Sequence, residues 1–494
     1  MNALPTATVV RKRHGRAGAV LMLTLTACVV PPPTTVIIRA GRLIDGSGGP
    51  VIWGQRIVVQ DGLIASVEAD GEPIPEALGA AAVIDARQMT VMPGLIDAHV
   101  HAFAGGACVM GLDAGVGQAV RNLAAFLRAG ITTVADLGAP APAAVGLRRY
   151  IGTARQRGPR LLVAGPILTA PDGYPLDMLG RDAVKSGMVV EVDSADSGRS
   201  VVQNLVGQKI DLIKLALQEA SFNAKPLKTL DEKTVCAIVD EAHRQHLRVM
   251  VHATGRAGYH TALTCGADVL AHGLFEPATP ELLADLVRHG TWVMPTHLAF
   301  AGPVWGPEHL DLLDRPDVHN QLTEKTLTNL RVYEALDKKH GPMLPPFILP
   351  GISRSRLESA LDIHAASTRA MRNAGVNIAL GTDTGICYNL AGFARYELAW
   401  LVQDGFTPLA ALHAATAGSA RALGLGDALG LIAPGYRADI IVVDGQPDQN
   451  IEAVENVRRV LIDGVEQHLH EPTVIDTTMA AGFIAWNSLT GSSP

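Results

Sequence analysis

The sequence predicts an α/β protein, a (β/α)8 TIM-like barrel with a small discontinuous β-sandwich domain. Three observations support this prediction. Eight apolar, β-branched runs alternate with segments of helical period between residues 91 and 429, as strands and helices do in a parallel barrel. Residues 35–90 contain strand-like runs without a useful helical period. Strand character returns at 430–468, so the late strands can complete the early β region.

The early β region contains three strand-like runs. Thr35–Leu43 and Arg56–Val67 are strand-like and are divided by turns rich in Gly and Asp. Val83–Ala86 leads into the first barrel strand. Ala438–Val443 and Val457–Ile462 are the strands expected to join them, whereas the C-terminal tail 469–494 carries no clear signal.

The barrel domain is predicted over residues 91–429. Its eight strands are placed at Val91–Ala102, Ile131–Leu137, Arg160–Leu168, Asp211–Leu217, Arg248–His252, Asp268–His272, Thr291–Pro295 and Asn377–Gly381. Helical period marks the segments between them, among them Val116–Ala129, Asp231–His246, Pro280–Arg288 and Glu358–Ala374. Asp231 is a plausible N-cap and Gly375 a plausible stop. The long connections after strands three and seven are expected to cover the site.

Composition limits the possible partners. The 494 residues are 48% hydrophobic and 18% charged, with a net charge of −7. This length suffices for one large catalytic domain and a smaller one, and the mild acidity argues against a nucleic-acid surface. A small-molecule substrate is expected, and a homo-oligomer is possible.

The N-terminus resembles a bacterial lipoprotein signal. The basic run Arg11–Arg16 precedes the apolar run Ala17–Ala27, and LTAC ends at Cys28. We expect a signal peptide at 1–27, acylation of Cys28 and a proline-rich tether at 28–34, so that the only membrane contact is the lipid anchor. The protein would then be exported and anchored in the cell envelope facing the periplasm, with a soluble periplasmic form as the alternative; an uncleaved anchor or a chance apolar run would explain the pattern otherwise. Buried free thiols are the default expectation for the remaining cysteines, although an oxidising compartment would permit a disulfide: Cys108, Cys236, Cys265 and Cys387.

Polar side chains recur at the carboxyl ends of the predicted strands, where barrel enzymes place their catalytic groups. His99 and His101 share one face of the first strand, about 7 Å apart along it. An isolated pair of this kind is more often structural than a metal site, and a lone aspartate after a strand is often a helix cap. The whole set falling at strand ends is difficult to explain by chance: His99, His101, Lys214, His252, His272 and Asp383.

Lys214 lies inside an apolar strand, DLIKLAL. A buried ammonium requires a partner or a lowered pKa. A neutral amine can react with CO₂ to give a carbamate whose two oxygens bridge two cations. A salt bridge and a Schiff-base lysine are the alternatives.

These motifs resemble the amidohydrolase superfamily. The resemblance rests on VMPGLIDAHVH, the lysine of strand four, the histidines of strands five and six and the GTD at Asp383, and on ALHAATAGSARALG and LGLIAPGYRAD near the end. It extends over roughly residues 35–465. The sequence is most similar to the imidazolonepropionase-like and Xaa-Pro-dipeptidase-like branch with a carboxylated lysine.

The resemblance implies a binuclear metal centre. His99, His101 and Asp383 would bind the more buried ion, His252 and His272 the second, and carboxylated Lys214 would bridge both. Nitrogen and oxygen ligands favour zinc, with manganese, cobalt or iron as alternatives. A metal-bridging hydroxide would attack the scissile carbonyl, while Asp383 accepts the proton and passes it to the leaving nitrogen.

Four further residues are candidates for substrate contact. His297 follows strand seven, and Tyr174 lies in APDGYP after strand three, where a turn explains it equally well. Arg256 and Tyr259 could bind a carboxylate or an oxyanion, unless they are simply exposed on the following helix.

The predicted activity is hydrolysis of a C–N bond, for example in a dipeptide or an N-acyl amino acid. The glycine-rich stretch that follows the strand-four lysine in many relatives is replaced by ALQEASFNAKPL, which weakens the case for a peptide substrate. The same centre could instead act on a cyclic amide or lactone, or deaminate its substrate. A non-catalytic binding or assembly module ranks below these, because all six ligand types are present.

Overall fold

A computed structural model describes residues 35–71, 81–109, 112, 114–153, 158–220, 225–340, 352–469 and 474–490. The predicted signal peptide at 1–27, the tether at 28–34 and the lipidation site Cys28 lie outside the described residues. The described part of the chain contains no helix that is both long and apolar enough to cross a membrane.

The chain has an α/β fold in which strands and helices alternate. The strands are β1 Thr35–Leu43, β2 Ile52–Gln60, β3 Leu63–Ala69, β4 Ala82–Pro93, β5 Leu95–Val100, β6 Ile131–Asp136, β7 Arg160–Val163, β8 Ile167–Thr169, β9 Val189–Glu191, β10 Leu212–Ala216, β11 Arg248–His252, β12 Val269–Ala271, β13 Trp292–Met294, β14 Asn377–Ile378, β15 Ile440–Val443, β16 Val457–Ile462 and β17 Val465–Glu466. The helices are α1 Val116–Arg128, α2 Ala141–Ile151, α3 Leu176–Leu179, α4 Asp182–Lys185, α5 Ala195–Gly207, α6 Glu232–Arg244, α7 Arg256–Thr264, α8 Pro280–His289, α9 His297–Trp305, α10 Pro316–His319, α11 Glu324–His340, α12 Arg354–Ala374, α13 Ala394–Gln403, α14 Pro408–His413, α15 Ser419–Ala422 and α16 Val474–Thr490.

Strands from the two ends of the chain lie in one mixed sheet. Its order is β17-β16-β15-β4-β1-β2-β3, with β1 parallel to β4 and the other pairs antiparallel. Alternate residues such as Val36, Ile38 and Ala40 bury one face of β1. All seven strands belong to this single sheet, so the β-sandwich stays a prediction.

Two parallel sheets carry the polar strand ends. The larger has the order β14-β13-β12-β11-β10-β8-β9, and the smaller contains β5, β6 and β7. Backbone hydrogen bonds connect them at two places: Ala98 N–H donates to Leu380 O at 2.9 Å, and Asp211 N–H donates to Val163 O at 2.8 Å. Strands β6, β10 and β11 are almost entirely buried, as parallel strands covered by helices require.

The third predicted strand, Arg160–Leu168, is divided into β7 and β8. Gly165 has a φ of 75°, and Pro166 has no backbone N–H to contribute to a ladder. The chain therefore leaves the smaller sheet at Val163 and enters the larger one at Ile167. The connection that follows contains α3, α4, α5 and the short strand β9, which pairs with β8.

Both predicted helix caps are confirmed. The Asp231 side chain accepts a hydrogen bond from the Thr234 N–H at 2.7 Å at the start of α6. Helix α12 ends at Gly375, whose φ of 80° is in the left-handed region that glycine tolerates.

The C-terminal tail contains a helix that the sequence did not indicate. Helix α16 packs against α1 and α2, where Ala480 is buried beside Val120 and Tyr150. The Tyr150 hydroxyl donates to Asp476 O at 3.2 Å.

The expectation of free thiols was wrong for the four cysteines that the structure describes. Cys108 pairs with Cys387, and Cys236 pairs with Cys265. The fold brings the Cα atoms of the pairs to 4.1 Å and 4.5 Å, although 279 and 29 residues separate them in sequence. Such separations contain no pairing signal, because disulfide formation depends on three-dimensional proximity.

Candidate metal centre

The six side chains predicted at strand ends line one cavity. His99 and His252 are within β5 and β11, and Lys214 is within β10. His101 and His272 follow directly after β5 and β12, whereas Asp383 lies in the segment that follows β14. All these strands run parallel in their sheets, so their carboxyl ends meet on one side. The structure therefore brings together His99, His101, Lys214, His252, His272 and Asp383.

Asp383 is the centre of one half of the cluster. Its Oδ1 is 3.2 Å from His99 Nε2 and 2.9 Å from His101 Nε2. Its Oδ2 is 3.8 Å from His272 Nδ1. His99, His272 and Asp383 each offer a ligand atom within 4.8 Å of the others, a spacing that one metal ion can bridge.

His252 and His272 form the other half. His252 Nδ1 is 2.8 Å from His272 Nε2, so the two rings direct nitrogen atoms at the same point. The Lys214 Nζ is 3.5 Å from His99 Nε2, and the buried Lys214 side chain lines the same cavity. Burial lowers the pKa of Lys214 to about 8, partly opposed by the charge of Asp383.

The donor set fits divalent cations. Burial, followed by the charge of neighbouring groups including Lys214, lowers the pKa values of His99, His252 and His272 well below the ordinary value. These imidazoles are therefore neutral and have a lone pair available. Asp383 Oδ1 is buried and contacts imidazole nitrogens, but it accepts no well-formed hydrogen bond from the described residues. A buried carboxylate oxygen without a hydrogen-bond donor is suited to binding a cation.

Two hydrogen-bonding residues that the sequence did not reveal orient the second pair of rings. Gln218 Oε1 is 3.1 Å from His252 Nε2 and also accepts from the Thr254 hydroxyl at 2.8 Å. The Thr296 Oγ1 is 2.5 Å from His272 Nδ1. These contacts leave His252 Nδ1 and His272 Nε2 directed at the cluster, as outer-shell partners of metal ligands do.

The backbone at Asp383 is held in an uncommon conformation. Its φ is 56°, in the left-handed region, and its N–H donates to His99 O at 2.7 Å. The Asn389 carboxamide donates to Asp383 O at 2.9 Å. Asp97 accepts from the Thr382 N–H at 2.9 Å and from the Thr382 hydroxyl at 2.7 Å, which fixes the segment before Asp383 to β5.

The cavity over the cluster has a volume of about 560 Å³. Tyr174, one of the predicted substrate residues, lines it and stacks on His252 with ring centroids 4.2 Å apart. Burial, followed by the charge of Asp383, raises the pKa of its hydroxyl, so Tyr174 is a neutral hydrogen-bond donor.

The other three predicted substrate residues do not line this cavity. Arg256 pairs with Glu276 at 2.9 Å, and the Tyr259 hydroxyl donates to His272 O at 2.5 Å. His297 lies between Glu397, at 3.0 Å from Nδ1, and Asp404, at 2.8 Å from Nε2. These contacts show that, within the described structure, the three side chains bind other protein groups and have a structural role.

The fold and the site define a class of α/β protein in which polar side chains from the ends of parallel strands form a buried cluster. The model of the Amidohydrolase family matches residues 90–466, so the chain belongs to this family. Ochratoxinase from Aspergillus niger is 25% identical over 461 residues, covering 86% of this chain and 84% of that protein. Imidazolonepropionase from Nocardia farcinica is 26% identical over 430 residues, covering 83% and 92%.

Solved structures agree with this assignment. A Xaa-Pro dipeptidase with bound methionine in its active site is 25% identical, with a TM-score of 0.72 and coverage of 88% of this chain and 100% of that one. The family and these relatives support an enzyme that hydrolyses a C–N bond.

Proposed function

We propose that the protein is a metal-dependent amidohydrolase with two divalent cations, zinc first among them. The observation that carries this proposal is the convergence of neutral imidazoles and the Asp383 carboxylate at one buried point. His99, His101 and Asp383 would hold one ion, and His252 and His272 the other. The buried Lys214 Nζ is 3.5 Å from His99 Nε2, where a carbamate on it would supply oxygen ligands to the ions.

The chain's own residues would orient the substrate and move a proton. When bound, the two ions supply Lewis-acid polarisation of the carbonyl and a water molecule of lowered pKa. Asp383 has a carboxylate oxygen inside the cavity and would accept the proton from the attacking water, then pass it to the leaving nitrogen. The Tyr174 hydroxyl is available to donate a hydrogen bond to the substrate.

We also infer that the parallel strands close into a (β/α)8 barrel over residues 91–429. The hydrogen bonds from Ala98 N–H to Leu380 O and from Asp211 N–H to Val163 O support this, since they join the smaller sheet to the larger on both sides. Residues 35–90 and 430–468 would form the small domain. Its single sheet would need a second layer to be a β-sandwich.

Metal removal tests the proposed function. Purified protein should hydrolyse members of a panel of dipeptides, N-acyl amino acids and simple amides. Dialysis against a chelator should abolish this activity, and added Zn²⁺ should restore it. Unchanged hydrolysis after chelation, with metal analysis showing that no ion remains, would contradict the proposal.

We further propose that the protein is exported and lipidated at Cys28. The basic and apolar N-terminal runs support this, and so do the two disulfides, which persist in oxidising compartments. Labelling of cells with a radioactive fatty acid should mark the wild-type protein and leave Cys28→Ser unlabelled. Equal labelling of both proteins, or of neither, would exclude this anchor.

A further inference from the structure

The walls of the 560 Å³ cavity are mainly apolar. Half-buried side chains from the segments after β5, β8 and β14 face it, namely Phe103, Met178, Leu179, Met188 and Ile386. Such side chains gain most from covering an apolar ligand, because that removes their remaining surface from water. Cavities of this volume enclose a ligand of drug size.

Charge is confined to the floor and the rim of this cavity. Among the described residues that line it, Lys214 is the only lysine or arginine, and it belongs to the cluster at the floor. Asp182 is the only carboxylate outside the cluster, and it is exposed and paired with Lys185 at 2.7 Å. No described wall residue is therefore placed to pair with a substrate carboxylate, and burying an unpaired carboxylate is unfavourable.

Arg256, the arginine that the sequence predicts to bind a carboxylate, is engaged by an acidic side chain. Arg256 is held by Glu276, which contacts both its backbone N–H at 3.1 Å and its Nε at 2.9 Å. Glu276 lines a different cavity, together with Gln218 and Arg356. Neither Arg256 nor Glu276 lines the 560 Å³ cavity.

We propose that the substrate is an uncharged carboxamide with an aromatic or branched apolar group, and that the enzyme discriminates against substrates with a free carboxylate. This rests on the proposed function, because it names the substrate class of the same site. It also replaces the dipeptide expectation, since a dipeptide would bring two charged ends into an apolar cavity. Tyr174, stacked on His252, would supply the polar contact to a neutral amide.

A matched pair of substrates on the metal-loaded enzyme tests the proposal. N-phenyl-4-propylbenzamide and N-phenyl-4-(carboxymethyl)benzamide share the scissile bond and differ little in size. We expect kcat/KM to be about tenfold or more higher for the propyl compound. Equal values, or a preference for the carboxylate, would overturn the proposal.

A wall variant supplies the converse test. Met178→Lys places a cation in the wall and should reduce the preference for the propyl compound, whereas Gln60→Lys, at an exposed position on β2 outside this cavity, should leave it unchanged. An unaltered preference in Met178→Lys would count against the wall as its source.

Calorimetric binding separates this proposal from the proposed function. Binding of the propyl compound without cleavage of any panel amide would retain the apolar cavity and reject the hydrolase. Cleavage of panel amides without preferential binding of the propyl compound would reject the apolar class and retain the hydrolase.

Discussion

Asp383 combines a strained backbone, a buried carboxylate and contacts with three histidines, so its substitution is the sharpest single-residue test. Asp383→Asn keeps a ligand oxygen and the side-chain shape but removes the proton acceptor. We expect bound metal to be retained and kcat to fall about 10²–10⁴-fold. Metal analysis and steady-state kinetics on the same preparation check this. Turnover close to that of the wild type would exclude Asp383 as the general base.

Gln218 is predicted to act through His252. Its Oε1 accepts a hydrogen bond from His252 Nε2, the ring nitrogen that faces away from the cluster. Gln218→Leu removes this hydrogen bond, so the His252 ring would no longer be held in its orientation. We expect the affinity for the second ion to fall about 10–100-fold. Competition with a chromogenic chelator measures this, and Gln60→Leu, at an exposed position on β2, is the matched control. Equal affinity in both variants would assign Gln218 a packing role only.

The sequence predicted the clustered residues but not their supports. His99, Lys214 and Asp383 are recognisable because a parallel strand determines where its last side chains lie. Gln218 and Thr296 support histidines on other strands, 34 and 24 residues away in the chain. Arg256 and His297 were chosen for their chemistry, but carboxylates from distant segments hold them away from the cavity.

At the scale of elements, His297 joins the start of α9 to α13. The N–H groups of His297 and Leu298 donate to Glu397, each at 2.9 Å, and the His297 ring lies between Glu397 and Asp404. Burial alone would lower the pKa of His297, but the charges and hydrogen bonds of the two carboxylates raise it to about 9.

This arrangement predicts a pH-dependent contribution to stability. Because the folded pKa exceeds the ordinary value of 6.5, the contribution is complete below pH 6.5 and is lost as the pH rises through 9. We expect His297→Gln to lower the unfolding free energy at pH 6 by about 3 kcal/mol more than at pH 10. Denaturant unfolding at both pH values measures this, with His319→Gln on α10 as control. A cost that is equal at both values, or larger at pH 10, would contradict the buried imidazolium.

Local signals identified the helices better than the interrupted strands. The Asp231 and Gly375 caps act within a few residues, and both were predicted. The division at Gly165 and Pro166 was visible in the sequence, but the two sheets that receive β7 and β8 were not. Helix α16 was missed because its packing partner Tyr150 lies 326 residues before Asp476.

For the whole molecule, the order of the elements carried most of the information. The alternation of strands and helices predicted the parallel sheets. The strand-like runs in residues 35–90 and 430–468 predicted that early and late strands would share one sheet. The two disulfides depend on the completed fold, which places Cys108 beside Cys387. Substrate class likewise depends on the cavity walls, which several distant segments contribute.

The central claim is that two ions occupy the cluster and that Lys214 links them. Metal analysis of wild type and Lys214→Ala, purified in parallel with zinc and bicarbonate, tests it most directly. We expect about two ions per chain in the wild type. We expect a clear loss of bound ions in Lys214→Ala, restored in part by a short carboxylate that can replace the carbamate. A fully active wild-type protein without bound metal, or a Lys214→Ala variant with unchanged metal content and activity, would contradict the account.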